Sequence, residues 1–225
     1  MEKITVTQVG YSYRTKYQTV HAVKDATCNF EAGNMYAVMG ESGSGKSTLL
    51  SLLAGLDLAD EGEIRIDGED MRAKDRDVYR KSEASVVYQA FHLLPLLTIE
   101  ENVMLPMELN GVPKPERKAR AAELLQKVGL TEDTFKKYPK MMSGGQQQRV
   151  AIARSLAAGG KILLADEPTG NLDTENGQKI VDILLELAHA DDYLVIVVSH
   201  SPEVVAQADV VFRMKDGVLT AVVSK

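Results

Sequence analysis

The chain has 225 residues, of which 44% are hydrophobic and 26% charged, a globular composition that excludes disordered, collagen-like and coiled-coil chains. Its net charge of −6 disfavours nucleic-acid binding, and its single cysteine, Cys28, cannot form an internal disulfide. No apolar run approaches the roughly 18–20 residues of a membrane span, and the start MEKITVTQV alternates like a strand, unlike a signal peptide. We therefore expect a cytoplasmic protein.

The first half of the chain predicts mostly strands. Alternating or continuous apolar runs indicate strands, and glycine clusters indicate the turns between them. In chain order we predict strands at residues 3–9, 20–30 and 35–39, a glycine-rich turn at 40–45, a helix at 46–56, and strands at 63–66 and 84–88.

The middle of the chain has a different character. Four prolines are predicted to break residues 90–115 into short pieces: Pro95, Pro106, Pro113 and Pro115. Beyond them the pattern predicts helices at 116–128, 146–158 and 175–188, and strands at 162–165, 193–198, 210–213 and 218–223. Strands that alternate with helices predict an α/β domain with a mostly parallel central sheet. Residues from about 90 to 155 are then a helical insertion.

A phosphate-binding loop is predicted at residues 40–47, which read Gly-Glu-Ser-Gly-Ser-Gly-Lys-Ser and match G-x-x-x-x-G-K-[ST] in full. Glycines let successive backbone N–H groups point at phosphate oxygens, and the helix that follows adds its positive end. Lys46 can reach the β- and γ-phosphates, and the Ser47 hydroxyl can ligate Mg²⁺. A chance Lys-Ser after a glycine-rich turn is disfavoured, because the motif lies between an apolar strand and an apolar helix.

Two acids, Asp166 and Glu167, end the apolar strand predicted at 162–165. Buried carboxylates are costly unless they face a cation, so Asp166 is placed to hold Mg²⁺. Adjacent strand residues point in different directions, which lets Glu167 face the attacking water as general base. The alternative is a pair of solvated acids at a strand end.

The remaining motifs resemble those of the ATP-binding cassette (ABC) ATPases over essentially the whole chain. Met142–Arg149, MSGGQQQR, resembles the family's signature sequence, and Asp166–Asp173, DEPTGNLD, resembles its Walker B motif and D-loop. Gln89 resembles the Q-loop glutamine, His200 the switch histidine, and Tyr13 the aromatic that stacks on adenine.

The resemblance implies ATP and Mg²⁺ as ligands, and a P-loop NTPase fold in one domain. Residues 1–89 and 156–225 form the core of that domain, which includes the N-terminal antiparallel β subdomain. Residues from about 90 to 155 form a helical subdomain. The implied catalytic residues are Lys46, Gln89, Glu167 and His200, and the implied metal ligands are Ser47, Gln89 and Asp166. The implied nucleotide-binding residues are Tyr13, Gly40, Glu41, Ser42, Gly43, Ser44, Gly45, Lys46, Ser47, Thr48, Ser143, Gly144, Gly145, Gln146 and Asp173.

Simpler interpretations of single residues stay open at this stage. Ser143-Gly144-Gly145 opens a helix and is either an ordinary serine N-cap or a second anion-binding helix start. A lone Gln89 or His200 is more often structural than functional. Tyr13 has two competitors, Tyr11 and Tyr17. The sequence departs from the family pattern at Met142, where leucine is usual, and at Ser201, where an acid is common.

The motifs most resemble cassettes of macrolide-export, lipoprotein-release and antimicrobial-peptide-resistance transporters (MacB-, LolD- and BceA-like). The implied partners are an integral membrane permease, which holds the chain at the inner membrane face, and a second copy in an ATP-sandwich dimer, with no nucleic acid. The patch at residues 91–97 is expected to be half core and half docking surface. Alternatives are an FtsE-like regulator of wall hydrolysis and an amino-acid importer. Cassettes acting on chromosomes or ribosomes carry long coiled coils or a second cassette, whereas this sequence contains one cassette and no heptad run. A non-hydrolysing cassette would be expected to have lost the residue at Lys46, Glu167 or His200, and all three are present. Both of these alternatives are therefore disfavoured.

Overall fold

The computed structural model describes residues 2–222. The strands are β1 (Glu2–Arg14), β2 (Thr19–Glu31), β3 (Met35–Met39), β4 (Glu61–Ile66), β5 (Glu69–Asp70), β6 (Ala84–Tyr88), β7 (Ile162–Asp166), β8 (Leu194–Ser199), β9 (Val210–Lys215) and β10 (Val218–Val222). The helices are α1 (Lys46–Leu53), α2 (Arg76–Ser82), α3 (Ile99–Leu109), α4 (Lys114–Lys127), α5 (Gly144–Ala157), α6 (Thr174–His189) and α7 (Pro202–Gln207). Within this described part, no helix is both long enough and apolar enough to cross a lipid bilayer.

Within residues 2–222, the ten strands join in one sheet, in the order β5-β4-β1-β2-β10-β9-β3-β8-β7-β6. Strands β9, β3, β8, β7 and β6 are mutually parallel, whereas β1, β2, β4 and β5 pair antiparallel. The predicted fold class, an α/β P-loop fold with a mostly parallel central sheet and N-terminal antiparallel strands, is confirmed.

The apolar strands are buried on both faces, as parallel strands covered by helices usually are. On β7, Ile162 and Leu164 point into one core with α1 and the antiparallel strands, while Leu163 and Ala165 point into a second core with α3, α5 and α6. Strand β8 divides its residues in the same way. This double burial fixes where the carboxyl ends of β3, β7 and β8 lie, and the predicted site residues follow those ends.

The prediction that Pro106 breaks the chain is wrong, because α3 runs through it from Ile99 to Leu109. A capping box of Thr98 and Glu101 starts this helix, and buried Ile99, Val103 and Met107 hold its inner face. Packing therefore outweighs the hydrogen bond that the proline removes. Pro113 and Pro115 lie at the start of α4, where proline is tolerated.

Other boundaries differ by a few residues. Helix α1 ends at Leu53, before the predicted end at residue 56, and β1 extends past the predicted 3–9 to include Tyr13. Helices α2 and α7 and the two-residue strand β5 had no prediction. The last residue of the predicted strand 218–223, Val223, lies outside the described residues.

Candidate active site

The predicted phosphate loop connects β3 to α1 and is held by short backbone contacts. Gly45 has a φ of 107°, and a Cβ atom there would lie 2.1 Å from the carbonyl oxygen of Ala22. Gly40 approaches β9 so closely that a Cβ atom would lie 2.2 Å from the Met214 carbonyl oxygen. The turn after β9 also donates from Gly217 N–H to the Ser44 carbonyl, at 3.0 Å. The loop is thus fixed between β2 and the β9–β10 hairpin.

Lys46 opens α1 and is almost fully buried. Its Nζ atom donates to the carbonyl oxygens of Gly40, at 2.8 Å, and Glu41, at 2.9 Å. The ammonium group therefore lies against the concave side of the loop, beside the start of a helix whose first N–H groups have no intrahelical partner. A lysine and a helix start at one point favour an anion such as phosphate.

Asp166 ends β7 beside the start of α1. Its Oδ1 atom accepts a hydrogen bond from the Ser47 hydroxyl at 3.2 Å. Burial raises the pKa of Asp166, and repulsion from Glu167 adds to this, while the Ser47 hydrogen bond and the charge of Lys46 oppose it. A partly buried carboxylate beside a hydroxyl can supply oxygen ligands to a cation.

Glu167 has a left-handed backbone, with a φ of 48°, which is uncommon for a residue other than glycine. Its N–H donates to the Val198 carbonyl at 2.9 Å, and its carbonyl accepts from Gly170 N–H at 3.0 Å. These bonds hold the strained residue, and residues in such conformations concentrate at functional sites.

The Glu167 carboxylate is held from β8 and the residue after it. His200 Nδ1 lies 2.8 Å from Oε1, and the Ser199 hydroxyl donates to Oε2 at 3.3 Å. Ser199 is fully buried and also accepts from Ser201 N–H at 3.1 Å. Sequence reasoning missed Ser199; the available signal was a hydroxyl directly before the predicted histidine.

Gln89 follows β6 and is paired with Asn171, which sequence reasoning also missed. Gln89 Nε2 donates to Asn171 Oδ1, and Asn171 Nδ2 donates to the Gln89 backbone carbonyl, both at 3.1 Å. The signal in the sequence was an amide side chain within the D-loop motif.

Tyr13 is the tyrosine that lines the same cleft as the phosphate loop. Its hydroxyl lies 3.2 Å from Thr48 Oγ1, and Tyr11 packs edge-on against its ring with 5.1 Å between centroids. Tyr13 is 46% exposed and offers a ring surface, whereas Tyr17 is 90% exposed. The geometry favours Tyr13 over its two competitors.

One cleft of about 970 Å³ brings most of the predicted residues together. Its lining includes Tyr13, Glu41, Ser42, Gly43, Gly45, Lys46, Ser47, Thr48, Gln89, Asp166, Glu167 and His200. Gly40 and Ser44 instead line a neighbouring cleft of about 510 Å³. Among the described residues, Ser143, Gly144, Gly145, Gln146 and Asp173 are absent from the lining of both clefts.

The signature segment starts α5 with a capping box. Ser143 Oγ accepts from Gln146 N–H at 3.3 Å, and Gln146 Oε1 accepts from Ser143 N–H at 3.0 Å. Ser143 is therefore a serine N-cap, and its role toward an anion stays a prediction. Gly145 packs on α6, because a Cβ atom there would lie 2.6 Å from Asn176 Oδ1. Asp173 caps α6 by accepting from Asn176 N–H at 2.8 Å.

The predicted metal ligands in the cleft all offer oxygen atoms, from the Ser47 hydroxyl, the Asp166 carboxylate and the Gln89 amide. Within residues 2–222, no three His, Cys, Asp or Glu side chains cluster as a metal site. One carboxylate with neutral oxygens suits a hard cation that completes its shell with water and substrate phosphates, as Mg²⁺ does. The donor set fits such an ion.

Comparisons with known proteins identify the family to which the chain belongs. The family model for ABC transporters matches residues 23–170. The macrolide export ATP-binding/permease protein MacB of Shigella flexneri is 44% identical over 92% of the chain, which spans only 32% of that protein. An uncharacterised ABC transporter ATP-binding protein of Mycobacterium tuberculosis is 38% identical, with 99% of the chain and 90% of that protein covered.

Two solved structures are similar over nearly the whole chain. The dimeric cassette MJ0796 has a TM-score of 0.88 and 38% identity, with 96% of each chain covered. A dimeric post-hydrolysis state of MJ0796 bound to ADP and phosphate has a TM-score of 0.89 and 36% identity, over 99% of this chain and 100% of that one. The chain thus belongs to the ATP-binding cassettes of ABC transporters and is an ATPase related to the MacB-type exporters.

Proposed function

We propose that the chain hydrolyses Mg-ATP to drive an ABC exporter or extractor of the MacB, LolD or BceA type, acting on drugs, lipoproteins or antimicrobial peptides. The observation that carries the hydrolytic part is the Glu167 carboxylate, which His200 and Ser199 hold in the same cleft as Lys46. A carboxylate fixed beside a phosphate-binding loop can accept the proton of the attacking water. The transporter type is supported by the 44% identity to MacB.

Each part of the cleft has a proposed role toward the nucleotide. The loop N–H groups and Lys46 bind the β- and γ-phosphates, and Tyr13 stacks on adenine. Ser47, Asp166 and Gln89 hold Mg²⁺, which neutralises phosphate charge when it is bound. Glu167 accepts the proton of the water that attacks the γ-phosphorus, and His200 binds the γ-phosphate. The products are ADP and phosphate.

A second copy of the chain completes the site in this proposal. Ser143 starts a 14-residue helix, and in the described part of the chain it lies outside the lining of the phosphate cleft. It is therefore available to the nucleotide of another copy, in a head-to-tail pair with two ATP molecules between the chains. The MJ0796 structures are dimers, which supports such a pairing here.

A membrane subunit is the third proposed component and holds the chain at the inner membrane face. A groove of about 310 Å³ separates β6 and α5 from the end of α3, with Tyr88, Leu105 and Leu109 in its lining. Leu109 is 69% exposed, and Leu96 in the 91–97 patch is 87% exposed. Leu93 of the same patch packs on the second core, whereas Leu94 and Leu96 are exposed and are the proposed docking residues. Apolar surface of this kind marks interaction sites.

The test combines a variant that lacks the base with size-exclusion chromatography. Glu167→Gln should hydrolyse ATP about 10²–10⁴-fold more slowly and form a long-lived dimer with Mg-ATP, because its binding contacts remain. Ser143→Arg in the same background should abolish that dimer. The control, Ser82→Arg on α2, also places an arginine at an exposed serine and should leave the dimer intact. A Glu167→Gln protein that hydrolyses at the wild-type rate, or that stays monomeric at saturating ATP, would refute the proposal.

A further inference from the structure

We propose that Asn171 is a positioning residue that orients the Gln89 side-chain amide so that its oxygen, not its NH₂ group, faces the metal site. The inference rests on the proposed metal role of Gln89. It concerns a residue to which no role has been given so far and which lies 82 positions from Gln89 in the chain.

The orientation follows from which atoms can donate. A backbone carbonyl only accepts hydrogen bonds, so the Asn171 group 3.1 Å from the Gln89 carbonyl must be the NH₂ of Nδ2. The other end of the Asn171 amide is then its oxygen, which only accepts. The Gln89 group 3.1 Å from that oxygen must therefore be Nε2. This pair of bonds leaves Gln89 Oε1 as the free end of the amide.

The free end has the chemistry that the site needs. Mg²⁺ takes oxygen ligands, and an amide rotated by 180° would offer two N–H donors instead. Gln89 lines the same cleft as Ser47 and Asp166, which offer a hydroxyl and a carboxylate oxygen to the same metal site. Groups that fix the orientation of a metal ligand commonly strengthen metal binding.

The neighbouring turn is shaped for this pairing. A Cβ atom on Gly170 would lie 2.8 Å from Gln89 Nε2, so a side chain there would displace the amide. Gly170 N–H also bonds to the Glu167 carbonyl at 3.0 Å. The turn after Glu167 therefore places Asn171 beside Gln89, and Gly170 has no side chain that would collide with the Gln89 amide.

The experiment measures Mn²⁺ binding by electron paramagnetic resonance, in the presence of saturating AMP-PNP. Gln89→Ala should weaken Mn²⁺ binding, and Asn171→Ala should weaken it by about 2- to 10-fold, the effect of losing one or two hydrogen bonds. In the double variant, Asn171→Ala should add nothing to Gln89→Ala. AMP-PNP binding in EDTA should stay unchanged in all variants, which reports an intact fold. The control is Asn29→Ala, which removes another exposed asparagine with one side-chain hydrogen bond and should have no effect.

The outcomes separate the two proposals. If Gln89→Ala leaves Mn²⁺ affinity unchanged, the metal role of Gln89 fails and the inference fails with it. If Gln89→Ala weakens Mn²⁺ binding and Asn171→Ala does not, only the inference fails. It also fails if Asn171→Ala weakens binding equally with and without Gln89, because Asn171 then acts independently of that amide.

Discussion

Two glycines of the phosphate loop, Gly45 and Gly43, give a sharp test of why the loop has its sequence. Both have left-handed backbones, with φ of 107° and 78°, but their surroundings differ. A Cβ atom on Gly45 would lie 2.1 Å from the Ala22 carbonyl oxygen and 2.8 Å from Met214 Cε, whereas one on Gly43 would have no described atom within 4 Å. Gly43→Ala therefore introduces backbone strain alone, and Gly45→Ala introduces strain and a clash with β2.

The two costs can be estimated separately. A left-handed backbone costs a residue with a Cβ atom about 1–2 kcal/mol, which is the whole expected effect of Gly43→Ala on the free energy of unfolding. The clash at Gly45 forces a backbone shift, at a further cost of about 1–3 kcal/mol. For a chain of this size, each kcal/mol lowers the melting temperature by about 2–4 °C. Gly45→Ala should thus melt about 2–12 °C below Gly43→Ala.

Thermal unfolding followed by circular dichroism measures the stability difference, and calorimetry with AMP-PNP measures its effect on binding. Gly45→Ala should bind the nucleotide much more weakly than Gly43→Ala, because the shift moves the N–H groups that open α1. Equal melting temperatures for the two variants would refute the argument that contact with Ala22 holds the loop in place.

Three further predictions concern single side chains. Lys46→Ala should weaken AMP-PNP binding strongly in calorimetry, because the phosphates lose a charge-assisted contact. An unchanged affinity would show that Lys46 does not contact the phosphates. Tyr13→Ala should weaken ATP and GTP binding alike, since stacking uses the ring face of either base, while Tyr17→Ala should change neither. Burial raises the pKa of Cys28 to about 12, so iodoacetamide should label it at pH 8 only after denaturation; rapid labelling of the folded protein would contradict that burial.

The sequence predicted the strands and helices around the cleft because their signals are local. An apolar strand, a glycine-rich turn and a Lys-Ser pair at the start of an apolar helix leave few alternatives for residues 35–53. The error at Pro106 has the opposite origin, since the helix there is stabilised by burial of Ile99, Val103 and Met107, which is a tertiary effect. The Thr98-x-x-Glu101 capping box was visible in the sequence and was the local signal against a break.

Ser199 and Asn171 could not be identified in the same way. Serine and asparagine are common residues, and what distinguishes these two is contact with Glu167 and Gln89, which lie 32 and 82 positions away. These contacts in space depend on the parallel pairing of β6, β7 and β8, and a search for sequence motifs does not reveal that pairing.

The segment from Asp166 to Asn176 joins the proposed chemistry to the signature helix through consecutive short contacts. Its first residues are the proposed metal ligand Asp166 and the proposed base Glu167, and Asn171 in its middle hydrogen-bonds to Gln89. Its end caps α6 through Asp173, and Asn176 there packs directly on Gly145, where even one methyl group has no room. A change in how α5 packs on α6 must therefore move Asn176 or open a gap at Gly145, and cores resist both. Because Asn176 lies only nine residues after Glu167, one short stretch of chain connects the proposed base to the helix that Ser143 starts. In the proposed dimer, that stretch would connect the base acting on one copy's own nucleotide to the helix start that binds the nucleotide of the other copy.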